Sequence, residues 1–141
     1  MATKPALKPM VFVDAFAGCG GLSLGLLQAG WRGLFAIEHD DFAFATLKAN
    51  LIEGQGPHKF AWPKWLPKKP AGIHSLLSKH GQKLENLRGT VDLLVGGPPC
   101  QGFSSAGRRR HDDPRNRLFA SYLRLVKPAR RANVCFEDVL R

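Results

Sequence analysis

The stretch MVFVDAFAGCGGLSLGLLQAGW, residues 10–31, decides the fold. MVFVDAF (10–16) is an almost continuous apolar run rich in β-branched and aromatic residues, and the turn formers AGCGG close it. That pattern predicts a buried strand. LSLGLLQAGW then places apolar residues at helical spacing and stops at Gly30. GLFAIEHD (33–40) is a second short apolar run, and DFAFATLKAN (41–50) follows as a helix with Asp41 as its cap and Phe42, Ala45 and Leu47 on its apolar side. Strand, helix, strand, helix implies an α/β domain with a parallel sheet.

Working outward, residues 54–72, GQGPHKFAWPKWLPKKPAG, hold four prolines and break any period. They predict a long surface connection, pinned by Trp62 and Trp65. IHSLLSKHG (73–81) is a short helix, TVDLLVGG (90–97) a buried strand, NRLFASYLRLVKPA (116–129) an amphipathic helix and ANVCFEDVL (132–140) a last strand.

A chain of 141 residues with 44% apolar content supports one domain with a real core. Against 21 Lys plus Arg stand 11 Asp plus Glu, a net charge of +10. Such an excess favours polyanionic partners such as nucleic acid, although basic ribosomal and membrane-surface proteins share it. Cys19, Cys100 and Cys135 form no C-x-x-C pair, which points away from a disulfide framework and from a thiolate zinc site; no metal is expected. MATKPALKPM (1–10) lacks the apolar stretch that a signal peptide would need, and no later run approaches the ~20 residues that a membrane span needs. The expectation is a cytoplasmic, DNA-associated protein with no membrane partner.

Three places carry candidate chemistry. The glycine loop of DAFAGCGGLSLGL lets backbone approach a ligand while the following helix offers unpaired N–H donors. Its spacing is not that of G-x-G-x-x-G, which disfavours a nicotinamide dinucleotide, and a tight turn without any ligand has comparable weight. Glu38 ends the second strand about 20 residues later, where doubly wound folds place an acid against ribose hydroxyls. A solvent-facing or helix-capping Glu38 is the competing reading.

The third place is VDLLVGGPPCQGFSSAGRRR, residues 91–110. Its strand delivers Cys100 to the carboxyl edge of the sheet on a loop stiffened by Pro98 and Pro99. Nearby positive charge would favour the nucleophilic thiolate, whereas a lone cysteine is more often a small core residue. Between residues 101 and 131 nine cationic side chains, Arg108, Arg109 and Arg110 among them, face only Asp112 and Asp113. Phosphate contact is one reading of that tract, and a solvated face the other.

In order, DAFAGCGG, IEHDD, GGPPCQGFSSAGRR, DPRNRL and FEDV closely resemble the DNA cytosine-5 methyltransferase family, from about Val11 onward. The resemblance implies a partial Rossmann-like S-adenosylmethionine-dependent methyltransferase fold, a mostly parallel sheet with flanking helices. By the same likeness Phe16, Gly18, Gly20 and Gly21 line the S-adenosyl-L-methionine site and Glu38 takes the ribose. Leu118 packs near the methionine end, Cys100 is the nucleophile and Glu137 assists at the ring of the cytosine. The implied reaction on double-stranded DNA has Cys100 add to C6 of a flipped cytosine, after which C5 accepts the methyl group.

Three departures accompany the likeness. Asp138 stands where the family pattern has asparagine, and Gly72 occupies the position where relatives often carry an aspartate for the adenine amine. No later Gln-Arg-x-Arg segment, target recognition domain or closing motif is seen, so residues 1–141 read as the N-terminal portion of a catalytic domain. The expectation is therefore inactivity alone, whether the sequence is a truncated product, a fragment or one subunit of a split methyltransferase whose complementary chain carries the second half; a noncatalytic nucleic-acid- or cofactor-binding remnant is the alternative.

Overall fold

The computed structural model describes residues 8–87, 89–97 and, as backbone, 133–136. Its elements run β1 (Val11–Ala15), α1 (Gly21–Gln28), β2 (Arg32–Ile37), α2 (Asp41–Leu47), a π-helical turn (Lys48–Ile52), α3 (Ile73–Glu85), β3 (Leu93–Gly96) and β4 (Asn133–Phe136). The four strands form one sheet in the order β2-β1-β3-β4, and every described pair is parallel. This is the expected α/β architecture. The expected amphipathic helix at 116–129 lies outside the described residues.

Buried β1, with Phe12 and Ala15 fully enclosed, sits between β2 and β3, and its continuous apolar run is what a strand covered on both faces requires. From β1 the chain steps to β2 on one side, then crosses back over β1 to reach β3 on the other. That reversal is a topological switch point, and it opens a crevice at the carboxyl ends of β1 and β3. Register sharpens the placement. Ala15 pairs with both Ile37 and Gly96, and Gly96 pairs with Phe136, so four strand ends stand abreast at one edge.

Two details of α2 depart from the sequence reading. Asp40, not Asp41, caps the helix, its side chain accepting from the Ala43 N–H at 2.8 Å. Phe42 is 86% exposed while Phe44 and Leu47 enter the core, so the apolar face is rotated from the one expected. The helix then widens into the π-helical turn, which brings Leu51 into the core beside Leu47. α3 also runs further than expected, to Glu85, through a local kink at His80.

The proline-rich connection is more than a surface strap. The N–H groups of Ala61 and Trp62 donate to Gly33 and Leu34 carbonyls at 2.8 and 3.0 Å, covering part of the outer side of β2. Phe60, Trp62 and Leu66 are buried. Phe60 fits because Gly33 has no side chain: a Cβ there would lie 2.7 Å from the Phe60 ring. Pairing skips Leu34 where β1 and β2 shift register between Phe12 and Val13, and it is the Leu34 carbonyl that receives Trp62. Trp62 Nε1–H donates to the Leu66 carbonyl, and Trp65 packs edge-on against Phe35, so both tryptophans do anchor the segment.

Candidate functional site at the carboxyl edge of the sheet

β1 ends in a forced turn. Phe16 adopts φ 64, Gly18 φ 56 and Gly20 φ 92. For glycine that region is free, but for a phenylalanine it costs about 1–3 kcal/mol, a strain that persists only where surroundings impose it. The turn is held by the Ala17 N–H on the Ile37 carbonyl (3.0 Å) and the Gly20 N–H on the Ala17 carbonyl (3.0 Å). Gly20 must be glycine twice over, because a Cβ would also lie 2.6 Å from Leu47 and 2.8 Å from Leu51. Gly18 and Gly21 face open space, with nothing within 4 Å of a built Cβ, as a backbone surface meant to meet a ligand would.

Glu38, immediately past the end of β2, is buried and binds this turn directly. Its Oε2 accepts from the Gly18 N–H at 2.8 Å; its Oε1 accepts from the His39 and Asp40 N–H groups, each at 2.8 Å. The exposed His39 ring brings Nδ1 to 3.1 Å from the same Oε1. Three charge-assisted hydrogen bonds from backbone fix the carboxylate, which rules out the solvent-facing reading of Glu38. A carboxylate has about four lone-pair sites, so acceptor capacity remains for a ligand hydroxyl.

Residues that the sequence did not single out complete the support. Asp14, buried in β1, accepts a short hydrogen bond from the buried Ser23 hydroxyl in the first turn of α1. That helix has no side-chain cap and no acidic residue in its first turn. Asp14 thus ties the first turn of that helix to the adjacent strand. The only signal in the sequence was a carboxylate inside an otherwise apolar run. From the other direction, the Ala71 N–H donates to the Glu38 backbone carbonyl at 2.8 Å. This tie puts the start of α3 beside the site and gives a small cleft lined by Glu38, Trp62, Leu66, Pro67, Lys69 and Ala71. Gly72, the uncapped N-cap of α3, follows in extended conformation and offers no side chain to that cleft.

Of the sequence candidates, Phe16, Gly18, Gly20, Gly21 and Glu38 are therefore brought together at one edge of the sheet. Cys100, Arg108, Arg109, Arg110, Leu118 and Glu137 lie outside the described residues. The strands that lead to two of them end at this edge, β3 with Gly96 beside Ala15, and β4 with Phe136 beside Gly96. Cys19, by contrast, is exposed within the turn itself. No helix among the described residues is long and apolar enough to cross a membrane.

Several proteins similar to this chain are DNA methyltransferases. The chain is 37% identical over 135 residues to the Type II methyltransferase M.AgeI of Thalassovita gelatinovora, a match covering 93% of this chain and 28% of that protein. It is 33% identical over 134 residues to the Type II methyltransferase M.HgiGI of Herpetosiphon aurantiacus, covering 94% of this chain and 92% of that one. The chain thus spans under a third of M.AgeI and nearly all of M.HgiGI. Among solved structures, a prophage-encoded protein of E. coli assigned as a DNA modification methyltransferase superposes with a TM-score of 0.58 at 28% identity, over 94% of this chain and 34% of that one. The sequence model of the C-5 cytosine-specific DNA methylases matches residues 10–141. That match spans nearly the whole sequence, and the chain belongs to the C-5 cytosine-specific DNA methylase family.

Proposed function

We propose that this chain carries the cofactor-binding and nucleophilic part of a DNA cytosine-5 methyltransferase. One observation carries the reading: the Gly18 turn, left-handed and open, is hydrogen-bonded to a buried Glu38 whose carboxylate keeps acceptor capacity beyond its backbone partners. An adenosyl ligand suits that donor and acceptor set. Phe16 and the Gly18–Gly21 turn would hold S-adenosyl-L-methionine, Glu38 would accept from its ribose hydroxyls, and Leu118 would pack at the methionine end. When bound, that molecule supplies an electrophilic methyl group on a sulfonium.

The chain's own part is to make C5 of cytosine a nucleophile, which it is not in the aromatic ring. We assign Cys100 to add as thiolate to C6, and Glu137, as the protonated acid, to donate to N3, so that electron density pushed into the ring collects at C5. Once C5 carries the methyl group, its proton passes to a base, water in the simplest case, and the electron pair left behind expels the thiolate from C6, which restores the aromatic ring. The target base must leave the stack for this, since C5 and C6 are shielded within it. Arg108, Arg109 and Arg110 are assigned to duplex phosphates, which position without reading sequence. Base selection belongs to later family segments, on the same or a complementary polypeptide.

Methyl transfer from labelled S-adenosyl-L-methionine to duplex DNA tests the reaction, with and without a polypeptide supplying those later segments. A covalent adduct with 5-fluorocytosine DNA that is lost in Cys100→Ser supports the assignment. An undiminished adduct in that variant overturns it.

A further inference from the structure

The proline-rich connection carries a feature that the proposed chemistry does not use. Residues 54–72 contain four lysines and no aspartate or glutamate. Lys64, Lys68 and Lys69 fall within six consecutive residues, and all three are exposed. They stand on two tight turns, closed by the Leu66 N–H on the Pro63 carbonyl and the Lys69 N–H on the Pro67 carbonyl, each at 3.0 Å. The turns are bolted down on both sides. Before them Trp62 is tied to Leu34 through its backbone and to Leu66 through its ring N–H; after them Ala71 is tied to Glu38. Trp65 lies between, packed on Phe35 and against the His80 ring at a centroid distance of 5.3 Å.

Like charges on a stiffened loop cannot spread apart as they would on a mobile tail, so their mutual repulsion persists in the folded chain. Neutralisation from within is slight. Glu53 is the partner of Lys68 at 3.9 Å but is shared with Lys48 at 3.7 Å. Among the described residues neither Lys64 nor Lys69 forms an ion pair. The Ala61 and Trp62 hydrogen bonds already cover this stretch of β2, which leaves no ladder there for an incoming peptide strand. A polyanion remains, and a rigid cationic loop meets phosphates with little ordering cost. The loop's place agrees with this, for the Ala71 tie and the Lys69 side chain put it at the same edge of the sheet as the Glu38 site.

We propose that Lys64, Lys68 and Lys69 form a docking surface for the phosphate backbone of duplex DNA, separate from the arginine tract at 108–110. The proposal rests on the reading that DNA is the substrate, and it adds a second contact that would hold the flanking duplex. The full chain is titrated with a duplex of arbitrary sequence over a series of salt concentrations, beside Lys64→Gln/Lys68→Gln/Lys69→Gln. Each phosphate contact contributes about 0.9 to the slope of log affinity against log salt. The triple variant should therefore lower the slope by ~2–3 and weaken low-salt binding by about tenfold or more. An unchanged slope overturns the proposal, as does a parent chain that binds no duplex. Equal affinity of the parent for a polyglutamate chain would identify a surface for acidic protein instead and overturn the DNA assignment. Calorimetry with S-adenosyl-L-methionine on the parent and on a Lys64→Gln/Lys68→Gln variant separates the two readings. Lys64→Gln/Lys68→Gln should bind it as the parent does, and a parent that fails to bind it refutes the cofactor assignment while leaving the salt slopes to judge this surface.

Discussion

Glu38 acts on its own chain before it meets any ligand. Because both of its oxygens accept backbone N–H groups, Glu38→Gln is not a mild change: one oxygen becomes an NH2 group, and a donor then faces either Gly18 or the His39 and Asp40 pair. Leaving a buried donor unpaired costs about 1–3 kcal/mol. Thermal or denaturant unfolding of Glu38→Gln should show a loss of that size, and calorimetry should show adenosyl binding weakened in Glu38→Gln and Glu38→Ala alike. Equal stability and affinity in Glu38→Gln would mean that the clamp is dispensable. Gly20→Ala should be worse. The new methyl enters a left-handed position and meets Leu47 and Leu51, so strain and overpacking together cost ~2–5 kcal/mol in a denaturant titration.

Among the elements, the connection 54–72 is the least ordinary, since it has neither helical nor strand period yet contributes Phe60, Trp62 and Leu66 to the core. Trp62 touches Phe44 and Phe60 edge-on and satisfies its ring N–H on Leu66. Truncating a buried aromatic of this kind costs about 3–5 kcal/mol, and Trp62→Ala should lose that much by equilibrium unfolding, while Phe42→Ala, on an exposed side chain, should stay within ~0.5 kcal/mol. These elements also show where the sequence was readable. β1, β2 and β3 declared themselves through nearly continuous apolar runs, as strands covered on both faces require. Glu38 was legible from its distance to the glycine turn. The Gly18 clamp was not, since a hydrogen bond across 20 residues leaves no period. Nor was the Asp14 and Ser23 pair, whose polarity reads as an interruption until the two are seen buried together. α2 was misphased because Phe42 counts as apolar in any pattern although Asp40 fixes the helix start so that Phe44 faces inward.

On the scale of the whole molecule, a charge of +10 on 141 residues is distributed rather than gathered in one tract. The arginines at 108–110 and the lysines at 64–69 are far apart in sequence. If each group meets its own phosphates, their effects are independent, and independent sites add to within about 0.3–0.5 kcal/mol. Replacing Arg108, Arg109 and Arg110 by glutamine should therefore lower the salt slope by ~2–3, and joining this to the lysine variant should lower it by the sum. Filter binding or fluorescence anisotropy across a salt series measures all three. A combined variant no weaker than either parent variant would show that the two groups address the same phosphates.

The hydrogen bond between Gly18 and Glu38 also makes the site observable without any reaction. An amide proton held by a carboxylate resonates well downfield of its neighbours, because the charge draws the proton from nitrogen. A hydroxyl arriving on the same carboxylate shares that charge and lets the proton relax upfield. The Gly18 amide should thus serve as a built-in spectroscopic reporter, its nitrogen-proton correlation moving upfield as S-adenosyl-L-methionine is added and staying still when a carbocyclic analogue lacking the ribose hydroxyls is added instead.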